Sequence, residues 1–250
     1  DCSFAMGNTA KHALFTTADQ WFGVFGGSIS GGNGSLSQDH HIYSNILLHQ
    51  CFRYISFGNG SKGFCINGNA HNDASLVQYY LCDGCDVTGT QNGFDFSNSN
   101  NDPLLSGRFR DCIVQFSRFH IGQVGSQNYA IFGYNIVNLT ARYNEIYDNV
   151  DAGIQFFDTT CDLKIYKNKF YNSPVNFFGS QTAYLHDNLS YSNSASFGCV
   201  RFYGSTPTTS QSWDVDGNLW YAPSRTSPFY NPDAVTYTTF ATWQSYDNDL

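Results

Sequence analysis

The run Asp162-Leu163-Lys164-Ile165-Tyr166-Lys167-Asn168-Lys169-Phe170 constrains this chain more than any other stretch. Leu163, Ile165 and Phe170 are apolar, and Asn168 sits at a bend between two apolar runs. The arrangement recurs. With Asn168 as the index, equivalent positions fall at Cys2, Gly27, Cys51, Cys85, Cys112, Asn144, Asn188 and Asn218. Three residues before the index lie Val24, Leu48, Cys82, Phe109, Ala141, Ile165, Leu185 and Val215, an unbroken apolar column. Two residues after it come Phe4, Ile29, Arg53, Val87, Val114, Ile146, Phe170, Ser190 and Trp220, apolar except at Arg53 and Ser190. Neighbouring repeats are separated by as few as 20 residues (Asn168 to Asn188) and as many as 34 (Cys51 to Cys85). A short fixed core with insertions of variable length describes a solenoid, because insertions leave as loops while the stacked strands keep register.

A further strand accompanies each repeat. Phe64-Cys65-Ile66, Gly93-Phe94-Asp95-Phe96, Gly153-Ile154-Gln155-Phe156, Pro174-Val175-Asn176-Phe177 and Cys199-Val200-Arg201-Phe202 share an in–out–in pattern. Side chains alternate across a strand, so Cys65, Asp95, Gln155, Asn176 and Arg201 are expected to face outward. One repeat leaves two options for this strand, residues 120–124 or 129–132. Residues 1–222 read as one solenoid of about nine turns, and residues 223–250 as a Ser-, Thr-, Pro- and Tyr-rich tail lying on the coil.

Composition narrows the partners. Only 13% of residues are charged, against about a quarter in a typical domain, and the formal net charge is −8 from 12 Lys+Arg and 20 Asp+Glu. Nucleic acid is excluded as a partner on this count, since phosphate recognition needs a basic stripe. No apolar run approaches the roughly 20 residues of a membrane-spanning helix. Of the eight cysteines, Cys2, Cys51, Cys82, Cys85 and Cys112 fall in repeat columns and read as stacked, buried thiols. Cys65, Cys161 and Cys199 remain, with their pairing open. Asn-x-Ser/Thr triplets at Asn33, Asn59, Asn138 and Asn188 offer glycosylation sites, of which Asn188 conflicts with a ladder role.

The repeat resembles the right-handed parallel β-helix proteins of the pectate-lyase-like superfamily: an apolar pair, an Asn at a tight turn, a second apolar strand, then Gly-Ile-x-Phe. Asn144, Asn168, Asn188 and Asn218 match the family's amide ladder between its second and third sheets, with Cys51, Cys85 and Cys112 as substitutes. Phe240-Ala241-Thr242-Trp243-Gln244 resembles the Phe-x-x-Trp-Gln tail of secreted bacterial β-helix proteins. The resemblance implies an all-β, right-handed parallel β-helix of three parallel sheets, and a secreted protein that binds or degrades polysaccharide in a groove on the outer face of its first sheet. In that groove Asp95, Arg201 and Asp151 are the expected catalytic residues, and His40, His41, Lys62, Gln155 and Asn176 the expected substrate contacts, with Asp39 and Asp158 on the flanks. A lyase needs a base and a positive group or metal to stabilise an enolate-like intermediate. Arg201 or Lys62 would serve there, with Ca²⁺ held by Asp95 and Asp151. A glycoside hydrolase needs two carboxylates, for which Asp95 with Asp151 or Asp158 are the candidates.

The family's polygalacturonase signatures and the arginine-rich strand of pectate lyases are missing, and the chain has only seven Arg. A net-negative chain also disfavours an acidic polymer. The rival expectation is structural. Both ends of the repeat look uncapped, so open-ended coils would stack head to tail into an extracellular filament.

Overall fold

The structure, a computed structural model, describes residues 3–6, 12–17, 21–31, 40–45, 49–58, 64–69, 79–88, 92–97, 110–121, 129–134, 136, 138–148, 152–157, 162–178, 182–193, 199–203, 213–224, 229–231 and 236–239. Among the described residues the strands sort into three sheets that the chain visits in rotation: sheet 1 with ten strands, sheet 2 with eight and sheet 3 with nine. One circuit runs Tyr129–Tyr134, Asn138–Arg142, Glu145–Tyr147, and the next Ala152–Phe157, Asp162–Tyr166, Lys169–Tyr171. Each strand pairs in parallel with its counterpart one circuit away. The chain is an all-β parallel solenoid. Of the two options for the strand between residues 112 and 144, the later one is used, as Tyr129–Tyr134.

Alternation fills the interior. In Asp162–Tyr166, Leu163 and Ile165 are buried while Asp162 and Lys164 are exposed. The apolar column of sheet 2 is Val24, Phe52, Cys82, Val114, Ala141, Ile165, Leu185 and Val215, paired in register. Aromatic rings fill the earlier circuits: Phe94 meets Phe119 edge-on at 5.0 Å and Phe96 meets Tyr80 at 5.2 Å. These contacts turn Phe94 and Phe96 inward from sheet 1 and leave Asp95 outside.

The bend between sheets 2 and 3 carries the ladder. Asn168 Nδ2 donates to Asn188 Oδ1 (3.0 Å) and to the Ala141 carbonyl (2.9 Å), while its Oδ1 accepts from the backbone N–H of Asn144 (3.0 Å). Asn144, Asn188 and Asn218 repeat the pattern. Cys85 joins it, with its thiol donating to the Phe52 carbonyl at 3.6 Å. The residue before each ladder position is left-handed: Tyr54, Phe116, Tyr143, Lys167 and Asp187 have φ of 57°, 51°, 55°, 57° and 54°, and Gly84 and Gly217 take the same role. That conformation costs a non-glycine residue about 1–2 kcal/mol. It persists because the N–H of each of these non-glycine turn residues donates to the next circuit, as Tyr54 does to the Asp83 carbonyl at 3.0 Å.

Two ladder assignments are corrected. The register places Ile55 and Ser117 at the ladder, in place of Cys51 and Cys112. Ser56 pairs with Asp86, Asp86 with Arg118 and Arg118 with Glu145, so the residues preceding them align. Ser117 Oγ accepts from the Cys85 N–H at 3.1 Å, and the Ser117 N–H donates to Asn144 Oδ1 at 3.0 Å, as a ladder residue should. Phe57 and Phe119 thereby replace Arg53 and Val114 in the column that follows, and Phe52 and Val114 replace Leu48 and Phe109 in the one before. Cys51 lies half-buried among the outer positions of sheet 2, and Cys112 is an inward residue of the same sheet. Cys2 lies outside the described residues. Cys51, Cys82, Cys85, Cys112 and Cys199 are free thiols, and burial pushes Cys85 up to about 12 and Cys199 up to about 11. Sheet 1 also continues past residue 222. Phe229–Asn231 pairs in parallel with Val200–Tyr203, Phe229 is buried, and Thr236–Thr238 then returns antiparallel.

Asn168→Ala orphans the buried Asn144 N–H and Ala141 carbonyl, at roughly 1–3 kcal/mol each. The expected loss is about 3 kcal/mol in urea unfolding followed by circular dichroism, with a smaller loss for Asn218→Ala at a part-buried position. Equal losses would contradict a ladder that matters most in the interior.

Candidate functional site

The groove expected on sheet 1 is only partly assembled. The positions in register with Asp95 are Tyr43, Asn67, Phe132, Gln155, Asn176 and Arg201. Cys65 drops out by two positions, because Ile66 rather than Phe64 pairs with Phe94. Asp95, Gln155 and Asn176 are only 3%, 4% and 3% exposed, so these three side chains are closed to solvent. Asn176 Nδ2 donates to Gln155 Oε1 at 3.0 Å. The half-buried Phe132 separates Asp95 from Gln155. His40 and Arg201 are placed by their strands alone, while Lys62, Asp151, Asp39 and Asp158 lie outside the described residues. Among the described residues no carboxylate stands beside Asp95 in the column, and no three His, Cys, Asp or Glu converge on a metal position. Asp151, which the resemblance sets beside Asp95 as a Ca²⁺ ligand, lies outside the described residues.

His41 is not an outer-face residue. Alternation from the buried Ile42 points it outward, yet it is fully buried and stacks on Phe57 of sheet 3 (5.9 Å between centroids, 11° between planes). It sits at the corner where the chain enters sheet 1, a position at which Ala130, Gly93 and Gly153 are also buried. A Cβ added at Gly153 would approach Ile146 and Phe170 at 3.0 and 3.2 Å, so this corner position faces the core. His41 Nε2 lies 3.2 Å from the Gly31 carbonyl, and Nδ1 has no hydrogen-bond partner. Burial lowers its pKa to about 4, against the raising effect of that hydrogen bond.

The open, chemically dense face is that of sheet 3. Its strands are three residues long in the middle circuits, with the first and third residues outward. The third positions are Thr88, His120, Tyr147, Tyr171, Tyr191 and Tyr221, paired in register. Tyr171 stacks on Tyr191 at 4.8 Å and 6°, and Tyr191 meets Tyr221 at 5.5 Å. The row opens at Tyr147, which is tilted 47° from Tyr171 at 6.4 Å. A cleft of about 530 Å³ lies there, lined by Arg118, His120, Glu145, Tyr147, Asp148 and Tyr171.

The first positions carry charges of alternating sign: Asp86, Arg118, Glu145, Lys169. Glu145 is the hub. It accepts from Lys169 Nζ (2.8 Å) and from the Tyr147 hydroxyl (2.9 Å), and Arg118 lies 3.9 Å away. The hydrogen bonds from Lys169 and then Tyr147 hold its pKa below the ordinary carboxylate value. Burial, and then the bond to Glu145, push the Tyr147 phenol up, so it stays a protonated donor. His120 lies 3.6 Å from Asp148, which also accepts from Asn172 at 3.0 Å. Lys169, whose side chain is 61% exposed, is part of this network.

The sequence-based expectation put the groove on the first sheet and missed this row. The signal was present: Asn144-Glu145-Ile146-Tyr147, Asn168-Lys169-Phe170-Tyr171, Asn188-Leu189-Ser190-Tyr191 and Asn218-Leu219-Trp220-Tyr221 all read Asn-x-x-Tyr. Counting outward from a ladder Asn by alternation places each Tyr on the surface. Trp220 does pack against the core. Asn188 is buried and uses its amide in the ladder, and Asn138 Nδ2 donates to Asp111 at 2.9 Å. Asn33 and Asn59 lie outside the described residues. No family model, curated protein or solved structure matches the chain.

His41 makes stability pH-dependent. Its pKa is about 4 folded and 6.5 unfolded, so the unfolded chain binds the extra proton between those values. The contribution is complete above pH 6.5 and is lost as pH falls towards 4, by about 3 kcal/mol at 1.36 kcal/mol per unit. Unfolding free energies from urea titrations at pH 7.5 and 4.5 should differ by about 2.5 kcal/mol less for His41→Phe than for the wild type. An unchanged difference would assign the acid sensitivity to other groups.

Proposed function

We propose that this protein is an extracellular polysaccharide-binding solenoid whose ligand lies on sheet 3. The observation that carries the reading is the exposed tyrosine row ending in a cleft with fixed hydrogen-bonding groups. A sugar ring offers apolar C–H surfaces and a rim of hydroxyls. Tyrosine provides an apolar body with a polar tip, suited to the first. Glu145, Arg118, His120 and Asp148 supply acceptors and donors for the second.

Binding fits this cleft better than cleavage. A hydrolase acid must keep its proton near neutral pH, which requires a raised carboxyl pKa, and Glu145 is shifted the other way. A base for proton abstraction needs to lose its proton readily, and Tyr147 is shifted against that. What weighs against the filament reading is the antiparallel Thr236–Thr238 beside Phe229–Asn231. An antiparallel ladder has a different hydrogen-bond pattern from the parallel one that stacked coils would continue.

Affinity gel electrophoresis against soluble polysaccharides tests this. The wild type should be retarded, and Tyr171→Ala should weaken retention at least tenfold, about 1.4 kcal/mol. Loss of retention in Asp95→Ala or Arg201→Ala with Tyr171→Ala unaffected would return the site to sheet 1. New reducing ends or unsaturated products would replace binding with catalysis.

A further inference from the structure

The outer face of sheet 3 changes character along the solenoid. In register, the first outward position runs Asp86, Arg118, Glu145, Lys169 and then Leu189 and Leu219. The third runs His120, Tyr147, Tyr171, Tyr191, Tyr221. Beyond the cleft the surface is therefore apolar, and it is open: Leu189, Leu219, Tyr171 and Tyr221 are 43%, 63%, 40% and 58% exposed. Contiguous exposed apolar surface of this kind marks a site of contact. Because the strands are parallel and in register, its groups repeat along one axis at the strand spacing, ~4.8 Å. Tyr147 to Tyr221 covers about 14 Å on that spacing.

Groups of opposite sign lie side by side next to it. Glu145 lies between Lys169 (2.8 Å) and Arg118 (3.9 Å), and Asp148 faces His120 (3.6 Å). An acidic ligand would have to compete with Glu145 for Lys169 and Arg118, and would approach a chain of net charge −8. An uncharged ligand needs neither. A compact ligand would fill the cleft and leave the Leu–Tyr strip bare, whereas a linear one uses both.

We infer that this face binds a linear, uncharged oligosaccharide along the solenoid axis, with one end in the cleft at Tyr147 and its body over Tyr171, Leu189, Tyr191, Leu219 and Tyr221. The inference rests on the polysaccharide reading above and adds the charge class, direction and length of the ligand. The hydroxyls of one sugar unit meet Glu145, Arg118 and the Tyr147 phenol. The following units lay their apolar faces on leucine and tyrosine.

Calorimetric titration with cello-, xylo-, manno- and laminari-oligosaccharides, each as di- and hexasaccharide, tests it against hexagalacturonate as the acidic counterpart. At least one neutral hexasaccharide should bind tenfold or more tightly than its disaccharide and than hexagalacturonate, with little change between 20 and 300 mM salt. Leu219→Ser with Tyr221→Ser should bring the ratio of hexasaccharide to disaccharide affinity close to one. Glu145→Gln should free Lys169 and Arg118 and raise hexagalacturonate affinity several-fold at low salt, a gain that a misfolded variant cannot produce. Tighter, salt-sensitive binding of hexagalacturonate to the wild type, abolished by Tyr171→Ala, overturns the neutral-ligand inference while leaving polysaccharide binding in place. Length-independent neutral binding overturns the axial placement. Silence toward every saccharide, with concentration-dependent dimerisation in sedimentation lost in the Leu219→Ser, Tyr221→Ser variant, overturns both and makes the strip a self-association surface.

Discussion

The amide ladder at the turn between sheets 2 and 3 is the interaction on which the rest depends. A parallel strand can slip against its neighbour, and a slip of one residue sends every side chain to the opposite face. The ladder blocks that slip. Each ladder Asn oxygen accepts from the backbone N–H of the circuit before, and the nitrogens of Asn144, Asn168 and Asn188 each reach a carbonyl and the next amide. It also holds bulky residues such as Phe116 and Tyr143 in a left-handed turn that they would otherwise avoid. These two stack at 5.0 Å on the outside of the corner, with Lys167 5.8 Å over the Tyr143 ring. The ladder tolerates different chemistry so long as the hydrogen bonds survive. Ser117 accepts in place of an amide, and Cys85 donates in place of one.

Fixed register turns single residues into columns, and columns into surfaces. On sheet 1 the outer column changes chemistry at almost every step, from Asp95 to Phe132 to Gln155 to Asn176, and its middle is buried. On sheet 3 the column keeps one side-chain type over Tyr147, Tyr171, Tyr191 and Tyr221 and stays open. Beside it, alternating charges satisfy one another. A similar economy holds on sheet 2, where Arg53 pairs with Asp83, Gln115 bridges Asp83 and Arg142, and Arg142 reaches the Tyr166 hydroxyl.

Much of this was legible in the residues. Alternation in Asp162–Tyr166, the asparagines at 144, 168, 188 and 218 and the buried Cys82 and Cys85 follow from local rules that a solenoid repeats. The errors at Cys51 and Cys112 also have a local origin. Ile55 and Ser117 share no side-chain type with Asn, so the nearest cysteines took their place in the alignment. Arg53 in an otherwise apolar column was the sign of it, since the correct residue is the buried Phe57. Ser190, the other exception, is real: it is buried and hydrogen-bonds the Cys199 thiol.

The residues by themselves therefore determined a parallel solenoid, its inward columns and its ladder, because each depends on neighbours a few positions away. Tertiary structure decided which outward column meets solvent. Exposure depends on what the other circuits and loops lay over a face, and no local period records that. Asp95 and Tyr171 are both outward by alternation, yet the first is covered and the second open. His41, outward by the same rule, is turned inside by a corner that only the closed coil creates.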